Sequence, residues 1–135
     1  MKVLLVDQSD ECRRRLYTLV RDVPGATVVG QASDERQATV LAALCKPDLI
    51  LTDLDLGRGC GFSLIERLQD AGYEGAAYLV TAADETVYGP RCVDAGITGF
   101  YNKTHDLGRL AKALGVFAQA PVSFSRARLR AEALL

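Results

Sequence analysis

The 135 residues amount to one domain's worth of chain, and 49% hydrophobic residues, 24% charged residues and four prolines exclude a disordered, collagen-like or low-complexity sequence. Sixteen Lys and Arg against seventeen Asp and Glu leave a net charge of −1, which argues against direct nucleic-acid binding by this domain. No apolar run approaches the ~18 residues of a membrane span, and Val3–Val6 is too short for a signal-peptide core, so a soluble, cytoplasmic protein with no membrane contact is expected.

Lys2–Val6 is apolar and rich in β-branched residues, and reads as a first strand. Ser9 is placed to cap a helix through Val20, with Leu16, Leu19 and Val20 on one face. Thr27–Val29 reads as a second strand. Ser33 is placed to cap a second helix through Leu44, with Ala38, Leu41 and Ala42 inward. Asp48–Thr52 follows as a third strand, and Phe62, Ile65 and Leu68 mark a third helix. Ala76–Val80 reads as a fourth strand. Gly89-Pro90 then predicts only a short fourth helix, Pro90–Ala95, behind a mobile loop from Thr81 to Gly89, because proline is tolerated only in a first helical turn. Gly99–Asn102 is a fifth strand, and Leu107, Leu110, Ala111 and Leu114 mark a fifth helix that Ala120-Pro121 ends. Residues 121–135 read as a basic helical tail or linker to an unseen output domain, with Ser125 placed to cap Arg126–Leu135.

The strand starts lie 25, 21, 28 and 23 residues apart, too far for hairpins and right for a crossover helix between parallel strands. This alternation predicts an α/β fold over residues 1–120, a doubly wound five-stranded parallel sheet with helices on both faces. The four cysteines, Cys12, Cys45, Cys60 and Cys92, show no Cys-x-x-Cys spacing, so reduced thiols, mostly in the core, are expected.

Open parallel sheets bind ligands beyond the carboxyl ends of their strands. Here strand 1 ends in Asp7, strand 3 in Asp53, strand 4 in Thr81 and strand 5 in Lys103. Two carboxylates make a hard-oxygen site suited to Mg²⁺. Asp53 can act as a nucleophile toward phosphorus, while Thr81 and Lys103 can hold phosphoryl oxygens.

These residues resemble the receiver domain of two-component response regulators. The likeness runs from Met1 to about Gln119. It is carried by Val-Leu-Leu-Val-Asp7, by Leu-Thr-Asp53-Leu-Asp55-Leu with Gly61 eight residues after Asp53, by Leu-Val-Thr81-Ala, and by Ala95-Gly96-Ile97-Thr98-Gly99-Phe100-Tyr101-Asn102-Lys103. The resemblance implies a flavodoxin-like sheet of strand order 2-1-3-4-5 and phosphorylation of Asp53 from the phosphohistidine of a sensor kinase or phosphotransfer protein. It implies Mg²⁺ held by Asp7, Asp53 and the Asp55 backbone carbonyl. It also implies a switch in which the Thr81 hydroxyl moves toward the phosphoryl group and the Phe100 ring follows inward. The face of the fourth helix, fifth strand and fifth helix would then bind a partner or form a homodimer. The domain would be regulatory rather than an enzyme, at most catalysing its own phosphorylation and dephosphorylation.

Gln8 stands where the family usually has a second acid, which implies a weak or absent metal ligand there and leaves Asp7 or Asp10 to compensate. Thr104 replaces a common proline. The rival reading is a phosphorylation-independent pseudo-receiver that serves as an interaction module. An aspartyl-phosphate phosphatase is a distant third, suggested by Asp53-Leu-Asp55 but with the motif on the wrong strand. Gly57-Arg58-Gly59-Cys60-Gly61 reads as a flexible loop, His105 as an exposed loop residue, and Arg13-Arg14-Arg15 as a solvated helix face.

Overall fold

The computed structural model describes residues 1–119, so the expected tail and the Ala120-Pro121 terminator lie outside the described residues. Five strands, β1 (Lys2–Val6), β2 (Thr27–Ala32), β3 (Leu49–Thr52), β4 (Ala76–Thr81) and β5 (Gly99–Asn102), form one parallel sheet in the order β2-β1-β3-β4-β5. The helices between and after them are α1 (Asp10–Arg21), α2 (Glu35–Cys45), α3 (Gly61–Asp70), α4 (Glu85–Ala95) and α5 (Leu107–Ala118). Fold class and strand order are those read from the sequence.

Because side chains alternate across a strand, each strand feeds two cores. Leu4, Val6, Ile50, Ala77, Leu79 and Phe100 join Ala38 and Ala42 of α2, Phe62, Leu64, Ile65 and Leu68 of α3, and Cys92 and Ala95 of α4. Val3, Leu5, Leu49, Leu51, Tyr78, Val80 and Tyr101 join Leu16 and Val20 of α1 and Leu110 and Leu114 of α5. Burial on both faces explains why β1 and β3 read as unbroken apolar runs. Each fully buried Leu, Ile or Val contributes roughly 1.5–3 kcal/mol, which anchors α1, α3 and α5 firmly. By contrast α4 buries only Cys92 and Ala95.

Local departures from expectation have local causes. Asp34, not Ser33, caps α2, accepting from the Gln37 backbone N–H at 2.8 Å, while the Ser33 hydroxyl donates to Gln37 Oε1 at 2.8 Å. The cap falls one residue later than read, with Ser33 bonded to the Gln37 side chain instead. Strand β2 continues to Ala32 because it pairs with β1 as far as Val6↔Ala32. The fourth helix begins at Glu85, five residues before the expected Pro90 start, and replaces most of the expected mobile loop. Asp84 caps it, accepting from both the Thr86 N–H and hydroxyl, and Tyr88 N–H bonds the Asp84 carbonyl at 3.1 Å. Pro90 withholds one N–H from the Thr86 carbonyl, and both residues lie on an exposed face where water is the alternative partner.

The glycine-rich loop is also ordered: Asp55–Leu56 pairs antiparallel with Gly59–Cys60, and Gly57 takes the turn at φ 75°. All four cysteines are free, but only Cys92 is in the core; Cys12, Cys45 and Cys60 are half-buried. Among the described residues no helix is long and apolar enough to cross a membrane.

Candidate functional site

Strand order reverses between β1 and β3, and the crevice at such a reversal lies outside the carboxyl ends of the strands. Val6 and Thr52 are register partners, so the next residues, Asp7 and Asp53, emerge side by side. Their backbones are pinned by hydrogen bonds from Asp7 N–H to Ala32 O at 3.0 Å and from Asp53 N–H to Val6 O at 2.9 Å. Asp7 is fully buried and Asp53 is 7% exposed. Such carboxylates need compensation. Oδ1 of Asp7 accepts from Ser9 N–H at 2.8 Å, and Oδ1 of Asp53 accepts from Leu54 N–H at 2.7 Å.

The second oxygens share one cation. Lys103 Nζ lies 2.8 Å from Asp53 Oδ2, to which it donates, and 2.7 Å from Asp7 Oδ2. Lys103 follows β5, two strands from β3, or about 9.6 Å at the usual strand spacing, so only a long side chain spans the gap. Burial works against its charge. Hydrogen bonding to Asp53, the contact with Asp7 and the two negative charges outweigh that burial and hold the ammonium above its ordinary range. Asp7 Oδ2 is in ionic contact with Lys103 but receives no directed hydrogen bond, which leaves lone-pair capacity pointing into the pocket.

Thr81, 4% exposed, closes β4. Its hydroxyl oxygen accepts from Ala83 N–H at 3.3 Å, and its carbonyl accepts from Lys103 N–H at 3.0 Å. Phe100 is already buried, within the same apolar cluster as Leu79, Cys92 and Ile97. The ring lies inward in this structure.

Other candidates divide cleanly. The Asp55 carboxylate is exposed and accepts from Gly57 N–H at 3.0 Å, so it does not join the Asp53 carboxylate. Gln8 is exposed, and a Cβ added at Gly57 would lie 3.4 Å from its Oε1. Asp10 is exposed and paired with Arg13. Among the described residues no group of three or more His, Cys, Asp or Glu side chains is gathered for a metal. The donor set is two buried carboxylates, Asp7 and Asp53. His105 is exposed, with its N–H bonded to Asn102 Oδ1 at 3.1 Å.

Sequence reasoning missed Arg13, whose guanidinium donates to the Asp7 carbonyl. Its neighbours Arg14 and Arg15 are solvated as expected, and only its position one turn past the Ser9 cap distinguishes it. Glu35 was also missed: a first-turn acid ordinarily faces water, yet this one is 9% exposed.

The model of the response regulator receiver domain family matches residues 3–115. The chain belongs to that family. The response regulator GacA of Pseudomonas aeruginosa is 29% identical over 114 residues, covering 84% of this chain and 53% of its own length. A second Pseudomonas aeruginosa relative is 30% identical over 130 residues, covering 96% of this chain and 62% of its own length. This receiver domain therefore spans about half to three-fifths of those curated relatives. Among solved structures, a LuxR-family two-component response regulator from Aurantimonas superposes with a TM-score of 0.81 at 22% identity, covering 98% of this chain and 96% of that one. The N-terminal domain of a Wolinella succinogenes protein gives 0.76 at 26% identity, covering 87% and 93%.

Proposed function

We propose that this receiver domain accepts a phosphoryl group on Asp53 and transmits the change to a partner or output domain. The observation that carries this reading is the shared contact of Lys103 Nζ with the buried carboxylates of Asp53 and Asp7. In the transfer, an Asp53 carboxylate oxygen attacks phosphorus. The new O–P bond forms as the N–P bond to the donor's imidazole breaks, and the imidazole nitrogen keeps the bonding pair and takes up a proton. Lys103 is placed to swing from Asp53 Oδ2 onto a phosphoryl oxygen, and the Thr81 hydroxyl can donate to another by giving up Ala83 N–H. The donor is a phosphohistidine of a sensor kinase or phosphotransfer protein.

The site suits Mg²⁺, which keeps several waters and needs only one or two carboxylates. Asp7 and Asp53 would hold it, with the Asp55 backbone carbonyl as a third ligand and Gln8 as a weak one. The ion supplies screening of the repulsion between Asp53 and an incoming phosphoryl group. Because Phe100 is already inside, the movement available to the switch is that of Thr81 and the start of α4, which would reshape the face made by α4, β5 and α5.

The absence of charge at Gln8 favours the second reading, a phosphorylation-independent interaction module. The exposed Asp55 carboxylate disfavours the phosphatase reading. Incubation with phosphoramidate and Mg²⁺, followed by intact mass, separates the first two: one added phosphate in the wild-type chain and none in Asp53→Asn supports phosphoacceptance. A wild-type mass that never changes favours the interaction module.

A further inference from the structure

Glu35 is the first residue of α2, where a carboxylate normally sits in water beside the positive end of the helix. Here it is turned inward against the loop that follows Asp53. Its Oε2 accepts from the Ser63 hydroxyl of α3 at 3.1 Å, and its buried Oε1 receives no hydrogen bond, with the Arg67 guanidinium at 3.6 Å as its nearest cation. Gly59, on the return strand of the hairpin, is bare where the carboxylate lies: a Cβ there would come within 2.1 Å of Oε2 and 3.0 Å of the Glu35 Cβ. Ser63 in turn belongs to the cap of α3, its N–H bonded to Cys60 Sγ at 3.4 Å. One residue on, Gly61 N–H bonds the Leu54 carbonyl at 2.8 Å, and Leu54 N–H bonds Asp53 Oδ1 at 2.7 Å. An unbroken set of contacts thus runs from Glu35 to the Asp53 carboxylate.

A buried carboxylate with one oxygen that receives no hydrogen bond costs stability that an apolar residue would not. What it supplies is a fixed point. We propose that Glu35 is a positioning residue, holding the Asp55–Cys60 hairpin against α2 so that the Asp55 carbonyl and the Leu54 amide keep their places beside Asp53. The proposal rests on the phosphoacceptor reading for its consequence, but the hairpin's order can be measured without metal or phosphate.

The test uses the full chain and four variants, Glu35→Ala, Glu35→Gln, Ser63→Ala and Gly59→Ala. Amide hydrogen exchange is read at residues 54–61, and Mg²⁺ half-saturation is read from glycine amide shifts. Glu35→Ala is expected to speed exchange at Leu54, Gly59 and Gly61 by about tenfold while Leu5 and Leu49 in the sheet stay unchanged, and to raise the Mg²⁺ half-saturation several-fold. Glu35→Gln keeps an oxygen for the Ser63 hydroxyl and should stay near wild type in both readouts. Gly59→Ala, which displaces the carboxylate, should mimic Glu35→Ala. Should Glu35→Ala fail to fold, Ser63→Ala and Gly59→Ala carry the same test. Unchanged hairpin exchange in these variants overturns the proposal, as does acceleration spread equally over the whole sheet. A wild-type chain that ignores Mg²⁺ counts against the phosphoacceptor reading, and the exchange comparison still decides the role of Glu35.

Discussion

One ammonium nitrogen faces two buried carboxylates in the pocket, so every change of charge there is felt at short range. At about 4 Å and an effective dielectric of ~20, one charge pair is worth on the order of 4 kcal/mol before desolvation is subtracted. Gln8, exposed and next to Asp7, offers a carbonyl oxygen but no charge. Gln8→Asp should therefore tighten Mg²⁺ binding by several-fold or more, and equal affinity in a calorimetric titration would place the metal elsewhere. Gly61→Ala tests the backbone instead. Its new methyl would lie 2.5 Å from the Asp53 carbonyl oxygen, a backbone atom that cannot yield cheaply. A loss of about 1–3 kcal/mol in urea unfolding is expected, together with slower phosphorylation, and wild-type behaviour in both would show that the loop relaxes freely. Asp7, Asp53, Thr81 and Lys103 were legible in the sequence because each ends an apolar run. Glu35 and Arg13 were not. Charged residues in a first helical turn look alike in sequence whether they face water or the interior, and only tertiary packing separates them.

Among the elements, α4 is the least anchored. Its first turns, through Pro90, bury nothing fully, and Val87 and Val93 are exposed on its outer face. Pro90 both removes a hydrogen bond and crowds the carbonyl one turn back, a combination that costs up to about 3 kcal/mol in a helix interior. Pro90→Ala should raise stability by ~1–3 kcal/mol and slow amide exchange over residues 86–89, measured together in one exchange experiment. Faster exchange there would mean that the proline sets the start of the helix after all. The other helices were readable from apolar spacing, because α1, α3 and α5 each bury large residues at intervals of three and four. For α4 the sequence emphasised the proline. The structure turns on Asp84, whose carboxylate accepts from the Thr86 hydroxyl and N–H and is held below its ordinary range by them. A cap at the start outweighed a defect in the middle.

At the scale of the molecule, alternating strands and helices foretold the sheet, and the carboxyl ends of its strands foretold where Asp7, Asp53 and Lys103 meet. The same two-sided burial makes the fold sensitive to alkali. Burial, then Glu85, push the Cys92 thiol from 9.0 up to about 11. Burial, then the neighbouring Tyr101, push Tyr78 up to about 12. Lys103 is raised as well. Each of these groups holds its proton more tightly folded than unfolded. Their contribution is complete below the unfolded values and is lost as pH climbs through the folded ones. Thermal unfolding should therefore be steady from neutral pH to about 9.0, the unfolded value for Cys92, and then fall progressively toward pH 11 and beyond. Cys92→Ala should remove the first part of that decline. A stability that rises between pH 9.0 and 11 would contradict this account.

The central claim is that a single carboxylate, Asp53, takes the phosphoryl group. Borohydride reduces an acyl phosphate to the alcohol, so treating the phosphoramidate-loaded protein converts a phosphorylated aspartate into homoserine, which peptide mass mapping locates to one residue. Homoserine is predicted at position 53 alone, with none in a Lys103→Ala chain treated for the same brief interval. Homoserine at Asp7 or Asp55, or at no position in a fully folded wild-type chain, would contradict it.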